Sequence, residues 1–246
     1  MINIQPIEKR NYREDGQLEV HSIFNTIQGE GPFTGQRAVF VRLAGCNLQC
    51  PSCDTDYTST RKLMDADEVL HDVDVARKNN MDSELQNHLV VITGGEPFRQ
   101  DIGPLVYALI ANGYRVQVET NGTLAPPYKF EEVCSKDVTE QGACFIVCSP
   151  KAGKVNHIVE RIACAYKYVM DEGNVAADGL PVTALDHSAA PHVARPPAGY
   201  AGPIYLQPCD DKDERSNAAN LNACVQSCLM YGYTLQLQIH KILGVE

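Results

Sequence analysis

The sequence predicts an α/β protein whose parallel strands are covered by helices. Apolar, β-branched runs alternate with helical segments along most of the chain, and short polar motifs follow directly where the runs end. Such alternation needs crossover connections, which leave successive strands parallel. Ligands of parallel α/β proteins gather at the carboxyl ends of the strands, so the polar motifs are expected to share one site.

The predicted elements follow one another in a regular order. Strands are expected at 37–43, 88–93, 115–120, 144–149, 166–170, 204–208 and 233–240. Helices are expected at 65–79, 102–113 and 214–232. The first helix has acids at its start and bases near its end, which suits the helix dipole, and a glycine closes the second.

Two segments depart from this pattern within what we treat as one domain, residues 1–246. The first is a polar N-terminal extension, residues 1–20. The second, 173–203, is rich in Ala, Pro and Gly and has no period, so we expect an insertion rather than a lid. Its His187 and His192 are expected to be solvated loop residues.

Composition excludes several classes of protein. A content of 44% hydrophobic and 21% charged residues is ordinary for a globular chain and argues against disorder. No apolar run is long enough to span a membrane, and the N-terminus lacks the apolar core of a signal peptide, so we expect a cytoplasmic protein. The net charge of -10 argues against nucleic acid as the main partner, because phosphate binding requires a basic face.

Three cysteines, Cys46, Cys50 and Cys53, are crowded into the loop after the first predicted strand. Structural zinc sites use four ligands, usually two spaced pairs, and no second pair of this kind is present. Three thiolates suit a four-iron cluster with one iron left open. The seven other cysteines are expected to be small buried hydrophobic residues.

The spacing C-x3-C-x2-C, followed by TGGEP at 93–97, resembles the radical S-adenosylmethionine enzymes. The block IFNTIQGEGPFTGQRAVFVRLAGCNLQCPSCDT at 23–55, followed by ETNGT, SPK, QP and QIHK, is similar to the 7-carboxy-7-deazaguanine synthase family over most of the chain. The resemblance implies an incomplete, TIM-type (β/α) barrel of parallel strands. It also implies a [4Fe-4S] cluster, S-adenosylmethionine and Mg²⁺ as cofactors.

The same resemblance implies a reaction and partners. The expected reaction is a lyase-type ring contraction of 6-carboxy-5,6,7,8-tetrahydropterin to 7-carboxy-7-deazaguanine with loss of ammonia, in queuosine and 7-deazapurine biosynthesis. A flavodoxin-type reductant and a homodimer are expected as well.

Roles for single residues also follow from the resemblance. Cys46, Cys50 and Cys53 are expected to hold the cluster, and Thr55 the Mg²⁺ ion. The expected substrate residues, of which Glu30, Arg42 and His240 position the pterin, are Ile27, Gln28, Gly29, Glu30, Arg42, Thr93, Gln238 and His240. The expected S-adenosylmethionine residues are Ser52, Cys53, Asp54, Gly95, Glu119, Asn121, Ser149, Pro150, Lys151 and Gln207. No side chain is expected to act as a strong base beyond the cofactors.

Two of these roles have an independent physical reason. Arg42 lies within the apolar run FVRLAG, where a buried guanidinium without a partner would be costly, and its planar fork suits a carboxylate. Thr55 offers a hydroxyl oxygen, and Mg²⁺ takes oxygen ligands.

One position departs from the family pattern. The residue before the third cysteine is usually aromatic in the family and stacks near the adenine, whereas this chain has Ser52 there and contains no Trp. The sequence leaves open how the adenine is bound, and whether 173–203 covers the site, contacts a second subunit or does neither.

Two other functions remain open from the sequence. One is an activase that makes a glycyl radical on a protein partner, since such enzymes share the cysteine motif. The other is a non-catalytic iron–sulfur or zinc protein, although electron carriers usually ligate every iron with cysteine.

Overall fold

A computed structural model describes residues 3–78, 89–185 and 192–245, and it contains one nine-stranded sheet. The strands are β1 (Leu18–Ile27), β2 (Arg37–Leu43), β3 (Lys62–Met64), β4 (Leu89–Gly94), β5 (Arg115–Thr120), β6 (Cys144–Cys148), β7 (Ala163–Met170), β8 (Ile204–Pro208) and β9 (Thr234–Leu235). Their spatial order is β3-β1-β2-β4-β5-β6-β7-β8-β9. The seven strands from β2 to β9 pair in parallel, whereas β1 pairs antiparallel with both β2 and β3.

The helices are α1 (Ala66–Lys78), α2 (Gly103–Ala111), α3 (His157–Ile162), α4 (Glu214–Tyr231) and α5 (Ile239–Leu243). The first four helices each lie between two consecutive strands, as the predicted alternation requires, and α5 follows the last strand. In the described ranges β3 and β9 are the two edges of the sheet and do not pair with each other, so the barrel is unclosed. No helix among these residues has the length and apolar content that a membrane crossing requires.

The centre of the sheet is buried on both faces, because alternate residues of a strand point to opposite sides. In β4, Val90 and Ile92 belong to the main core with α1 and α2, whereas Leu89 and Val91 join a second apolar cluster around Phe145. Burial on both faces explains why these strands read as continuous apolar runs rather than as alternating ones.

The C-terminal strand is the main error of the sequence prediction. The expected strand 233–240 is only two residues long, and α5 begins at Ile239. The alternation is also inverted: Gln236 is 4% exposed, whereas Leu235 and Leu237 are 38% and 36% exposed. Within the described residues, the side of this segment that carries the two leucines is therefore not covered.

Other differences from the prediction concern residues that carry weak local signals. β1, β3 and α3 were not predicted, and β1 begins inside the expected N-terminal extension. The predicted strand at 166–170 begins three residues earlier. Residue 79 of the first predicted helix and residue 88 of the second predicted strand lie outside the described residues.

The expected insertion 173–203 packs closely onto the domain where it is described. Leu180, Ala184 and Val193 are buried in the main core. The hydroxyl of Tyr168 on β7 donates to the carbonyl of Ala194 at 2.8 Å. His192 is exposed, as predicted. His187 lies outside the described residues.

Candidate active site

A cavity of about 380 Å³ lies at the carboxyl ends of the parallel strands. Its walls come from the ends of β1, β2 and β4 to β8, the cysteine loop between β2 and β3, and the start of α5. The strand-end motifs of the sequence therefore meet in one place, as the parallel topology requires.

Nearly all predicted site residues line this cavity. They are Ile27, Gln28, Glu30, Arg42, Cys46, Cys50, Ser52, Cys53, Asp54, Thr55, Thr93, Gly95, Glu119, Asn121, Ser149, Lys151, Gln207, Gln238 and His240. The two that do not are Gly29 and Pro150. Pro150 lies between two lining residues. Gly29 lies against the side chain of a lining residue, His240.

Gly29 leaves room for the imidazole of His240. A Cβ at this position would lie 1.9 Å from His240 Nδ1, which no packing adjustment of a methyl group can accommodate without moving the ring. The glycine is therefore required by the close approach of the two segments. Gly29 does not line the cavity, and it affects the cavity only through the space that it leaves for His240.

The cysteine loop forms one wall of the cavity. Burial raises the pKa of all three thiols, that of Cys46 to about 12, so a cation must compensate for their deprotonation. Within the described ranges no three His, Cys, Asp or Glu side chains converge on a single metal ion. A polynuclear cluster, in which each thiolate binds a different iron, needs no such convergence, and the trio fits it.

The TGGEP segment after β4 interlocks with the start of the cysteine loop. A Cβ at Gly95 would lie 2.0 Å from the carbonyl oxygen of Gly45, directly before the first cluster cysteine. Only glycine permits this approach. The segment therefore fixes the position of Cys46 relative to β4.

Glu96 links the same segment to the next strand end. Its buried carboxylate accepts hydrogen bonds from the Thr120 hydroxyl at 2.7 Å and the Asn121 backbone N–H at 2.8 Å. Burial raises the pKa of Glu96 above its ordinary value, and these hydrogen bonds oppose that rise. The Asn121 amide in turn donates to Asn47 of the cysteine loop at 2.9 Å.

A buried ionic network lies in the wall of the cavity. The ammonium of Lys167 contacts the carboxylate of Glu30 and lies 3.4 Å from Glu119 Oε2. The Gln238 amide donates to Glu30 at 2.8 Å, and the Gln28 amide donates to Glu119 at 3.1 Å. The network therefore joins the ends of β1, β5 and β7 to the residue before α5.

The network sets the charges of its members. Burial opposes ionisation of Glu30, but the ammonium of Lys167 and hydrogen bonds from Lys167 and Gln238 outweigh it and lower the pKa of Glu30 to about 2. Burial likewise opposes the charge of Lys167, yet its two carboxylate neighbours raise the pKa of this ammonium. Two carboxylates facing one ammonium give this wall a net negative charge.

Arg42 lies on β2 at the floor of the cavity, over the ring of Phe24 at 5.2 Å from its centroid. Phe24 stacks on Phe40 with ring centroids 5.5 Å apart, and both rings line the cavity. A guanidinium beside a flat aromatic wall suits a planar ligand that carries a carboxylate.

Near the predicted Mg²⁺ position, Thr55 and Asp54 line the cavity. The ammonium of Lys241, on α5, lies 3.1 Å from Asp54 Oδ2 and 3.3 Å from Asp210 Oδ2. These contacts tie the C-terminal helix to the third cysteine's neighbours.

Ser52 contacts the segment that the sequence treats as an insertion. Its backbone N–H donates to the carbonyl of Leu185 at 3.3 Å, and Leu185 lines the cavity beside it. Leu185 has φ +50°, a left-handed conformation that few non-glycine residues adopt. The segment thus brings an apolar side chain to the position where the family pattern has its aromatic residue.

Several cavity residues were not predicted from the sequence, and Lys167 and Leu185 are two of them. Lys167 lies in the strand YKYVM, where the argument used for Arg42, a charge within an apolar run, would have found it. Leu185 carries no such signal, because its role depends on how an irregular segment folds. Lys151, which the sequence did predict, is half-buried and donates to the hydroxyl of Ser149.

The unclosed parallel sheet, the three-cysteine loop and the glycine segment beside it define a radical S-adenosylmethionine enzyme. In agreement with this, the protein-family model of the Radical SAM superfamily matches residues 41–136 of the chain. This class supplies a [4Fe-4S] cluster and S-adenosylmethionine as cofactors.

Comparison with whole chains is more specific. The 7-carboxy-7-deazaguanine synthase of Rhodospirillum rubrum is 43% identical over 240 residues, which cover 94% of each chain. That of Rickettsia prowazekii is 41% identical and covers 94% of this chain and 89% of its own. The chain belongs to the 7-carboxy-7-deazaguanine synthase family, and it is a radical S-adenosylmethionine lyase.

A solved structure supports the fold. The crystal structure of QueE from Escherichia coli aligns with a TM-score of 0.63 and 24% identity, over 90% of this chain and 93% of that one. The expectation of an incomplete (β/α) barrel is confirmed.

Proposed function

We propose that the protein converts 6-carboxy-5,6,7,8-tetrahydropterin to 7-carboxy-7-deazaguanine with loss of ammonia, a step of queuosine and 7-deazapurine biosynthesis. The relatives' shared name supports the reaction. The observation that carries it is the pairing, in one cavity, of the cysteine loop with a carboxylate-rich wall and an arginine beside stacked aromatic rings.

Cys46, Cys50 and Cys53 hold the cluster in this proposal. When bound, the cluster and S-adenosylmethionine would together supply one-electron radical chemistry. The protein positions the reacting atoms and excludes water, and no side chain needs to be a strong base for the first hydrogen abstraction.

The substrate occupies the wall opposite the cysteines. Arg42 pairs with the substrate carboxylate, while Phe24 covers one edge of the pterin ring. The carboxylate of Glu30 accepts hydrogen bonds from pterin N–H groups. Ile27, Gln28, Thr93, Gln238 and His240 complete this side, with Gly29 behind the imidazole. Glu119 contacts Gln28 and Lys167, so we propose that it acts with the substrate residues as well as bordering S-adenosylmethionine.

S-adenosylmethionine occupies the side nearer the cluster in the proposal. Its contacts come from Ser52, Cys53, Asp54, Gly95, Asn121, Ser149, Lys151 and Gln207, with Pro150 shaping the turn. Leu185 supplies the apolar surface for the adenine that Ser52 lacks. Burial lowers the pKa of Lys151, and the nearby Lys167 lowers it further, so a carboxylate ligand would favour its charged form.

The hydroxyl of Thr55 would hold Mg²⁺, a cation that takes oxygen ligands. The ion would supply Lewis-acid stabilisation of negative charge on the substrate carboxylate. A homodimer, a flavodoxin-type reductant and a cytoplasmic location stay predictions.

The test is anaerobic incubation of the reconstituted protein with S-adenosylmethionine, dithionite, Mg²⁺ and the carboxypterin, with products identified by mass spectrometry. We expect 7-carboxy-7-deazaguanine together with 5′-deoxyadenosine. Deoxyadenosine without the deazaguanine would contradict the substrate assignment and favour an activase. Neither product from a protein with an intact cluster would favour a non-catalytic binding role.

A further inference from the structure

The N-terminal extension lies along the cysteine loop. We define the N-terminal strap as residues 3–11. The Asn3 backbone N–H donates to the carbonyl of Pro51 at 2.8 Å, and its side-chain amide donates to the carbonyl of Cys50 at 3.1 Å. The Glu8 N–H donates to the carbonyl of Cys46 at 2.7 Å. The strap therefore binds the backbone at two of the three cluster cysteines.

Gln5 makes the densest set of these contacts. Its amide N–H donates to the carbonyl of Thr55 at 2.9 Å, and its amide oxygen accepts from the Tyr57 N–H at 2.9 Å and the Thr58 hydroxyl at 3.0 Å. Its own carbonyl accepts from the Gln49 amide at 2.6 Å. One side chain thus bonds three residues in the part of the loop that follows the third cysteine.

The Thr55 carbonyl that Gln5 binds is also next to the third cysteine, because Cys53 Sγ lies 3.9 Å from it. This carbonyl belongs to the peptide that follows Thr55, so its direction constrains the backbone of the residue that carries the hydroxyl proposed for Mg²⁺. The loop from residue 47 to residue 61 contains no helix or strand that would otherwise hold it. Its order must come from contacts with other segments.

The strap is itself firmly anchored. Glu8 pairs with Arg61 at 2.5 Å and with Arg99 at 3.4 Å. Arg99, directly after the TGGEP segment, is buried and donates to the carbonyl of Ala44 at 3.0 Å. The strap and the glycine segment therefore hold the start of the cysteine loop from two sides.

We propose that Gln5 is a positioning residue, which holds the Thr55 peptide so that Cys53 and the Thr55 hydroxyl face the cavity. The inference rests on the cluster and Mg²⁺ sites of the proposed function. It extends the functional site to a residue that does not line the cavity and lies outside the 23–55 block.

The decisive variant is Gln5→Met, which keeps the volume and the packing of the side chain and removes its hydrogen bonds. Reconstituted protein is exposed to an iron chelator without pterin, and cluster loss is followed by absorbance and iron content. We expect loss at least about fivefold faster than in the wild type, because all three side-chain hydrogen bonds to the loop are removed and one alone is worth about that much. The matched control is Ile4→Ala, whose side chain is 87% exposed in the same strap, and we expect a wild-type rate.

Two further measurements separate positioning from general stability. The thermal unfolding midpoint of the iron-free Gln5→Met protein is expected to equal that of Ile4→Ala. For Gln5→Met, the Mg²⁺ concentration that gives half-maximal turnover is expected to rise, while the rate at saturating Mg²⁺ is retained. Gln5→Glu keeps both acceptor contacts and loses the donor to Thr55, so we expect fast cluster loss there too.

The outcomes distinguish a failure of the inference about Gln5 from a failure of the proposed function. Equal cluster loss in Gln5→Met and wild type overturns the inference about Gln5 and leaves the proposed function intact. A wild-type rate in Gln5→Glu overturns the role of the Thr55 carbonyl. A wild-type chain that takes up no cluster overturns the cluster site and the inference together.

Discussion

Lys167 on β7 and Glu30, 137 residues earlier in the chain, form a buried ion pair in the wall of the cavity. We expect Lys167→Met to leave two buried carboxylates facing each other, because Glu119 shares the same ammonium. Breaking a buried pair in this way costs about 3–5 kcal/mol. The measurement is the free energy of unfolding in urea, and the control is Lys154→Met at an exposed lysine. If the two variants lose equal unfolding free energy, the prediction is wrong.

The pH dependence of stability gives a second prediction. The pKa of Glu30 is lowered from 4.5 to about 2, so its contribution is present above 4.5 and is lost as the pH falls through about 2. Glu30→Gln lacks this titration. We therefore expect the difference in unfolding free energy between wild type and Glu30→Gln to shrink as the pH is lowered across that window. A difference that stays constant with pH would rule out the ionised pair.

Gly29→Ala is predicted to act through His240. The added Cβ would lie 1.9 Å from the imidazole and must displace it, at a cost of about 1–3 kcal/mol. We expect lower turnover of the carboxypterin with full cluster content. In a His240→Ala background the same change is expected to have little further effect. Additive losses in the double variant would show that Gly29 acts elsewhere.

Leu185→Ala tests the apolar surface beside Ser52. Removing the partly buried side chain is expected to weaken binding of S-adenosylmethionine about fivefold to tenfold, in line with the area lost. Equilibrium binding to the reconstituted protein measures it. The control is Leu229→Ala, whose side chain is 78% exposed on α4. Unchanged affinity in Leu185→Ala would mean that the adenine lies elsewhere.

Thr55→Val removes the hydroxyl proposed for Mg²⁺ and keeps the shape of the side chain. We expect a higher Mg²⁺ requirement for deazaguanine formation, while cleavage of S-adenosylmethionine continues. Thr55→Ser keeps the oxygen and is expected to behave as wild type. If the valine variant responds to Mg²⁺ as wild type does, the ion binds without Thr55.

The parts of the site that the sequence predicts are those where local pattern and topology agree. Cys46, Thr93 and Ser149 each follow an apolar run, and parallel strands necessarily bring such positions to one edge. Residues at 233–240 misled the prediction, because alternation alone does not tell which face is covered. Here Gln236 is buried and its leucine neighbours are exposed, the reverse of what the hydrophobic pattern predicts.

Other features depend on tertiary contacts that no local signal records. The N-terminal strap reads as a polar extension, yet its polar side chains are what bind the cysteine loop. Leu185 reaches the cavity because an irregular segment packs Leu180 and Ala184 into the core. Such contacts link residues far apart in sequence, and their register is invisible to periodicity.

The hydrogen bond between Gln238 and Glu30 joins residues 208 positions apart, and Lys241 reaches Asp54 across 187 positions. During synthesis the ribosome delivers the cysteine loop first and the opposite wall last. Contacts of such long range close slowly, since the intervening chain must be ordered before they form. The complete cavity thus exists only after translation has passed Lys241. We expect a nascent chain that is stalled before that point to lack the complete cavity.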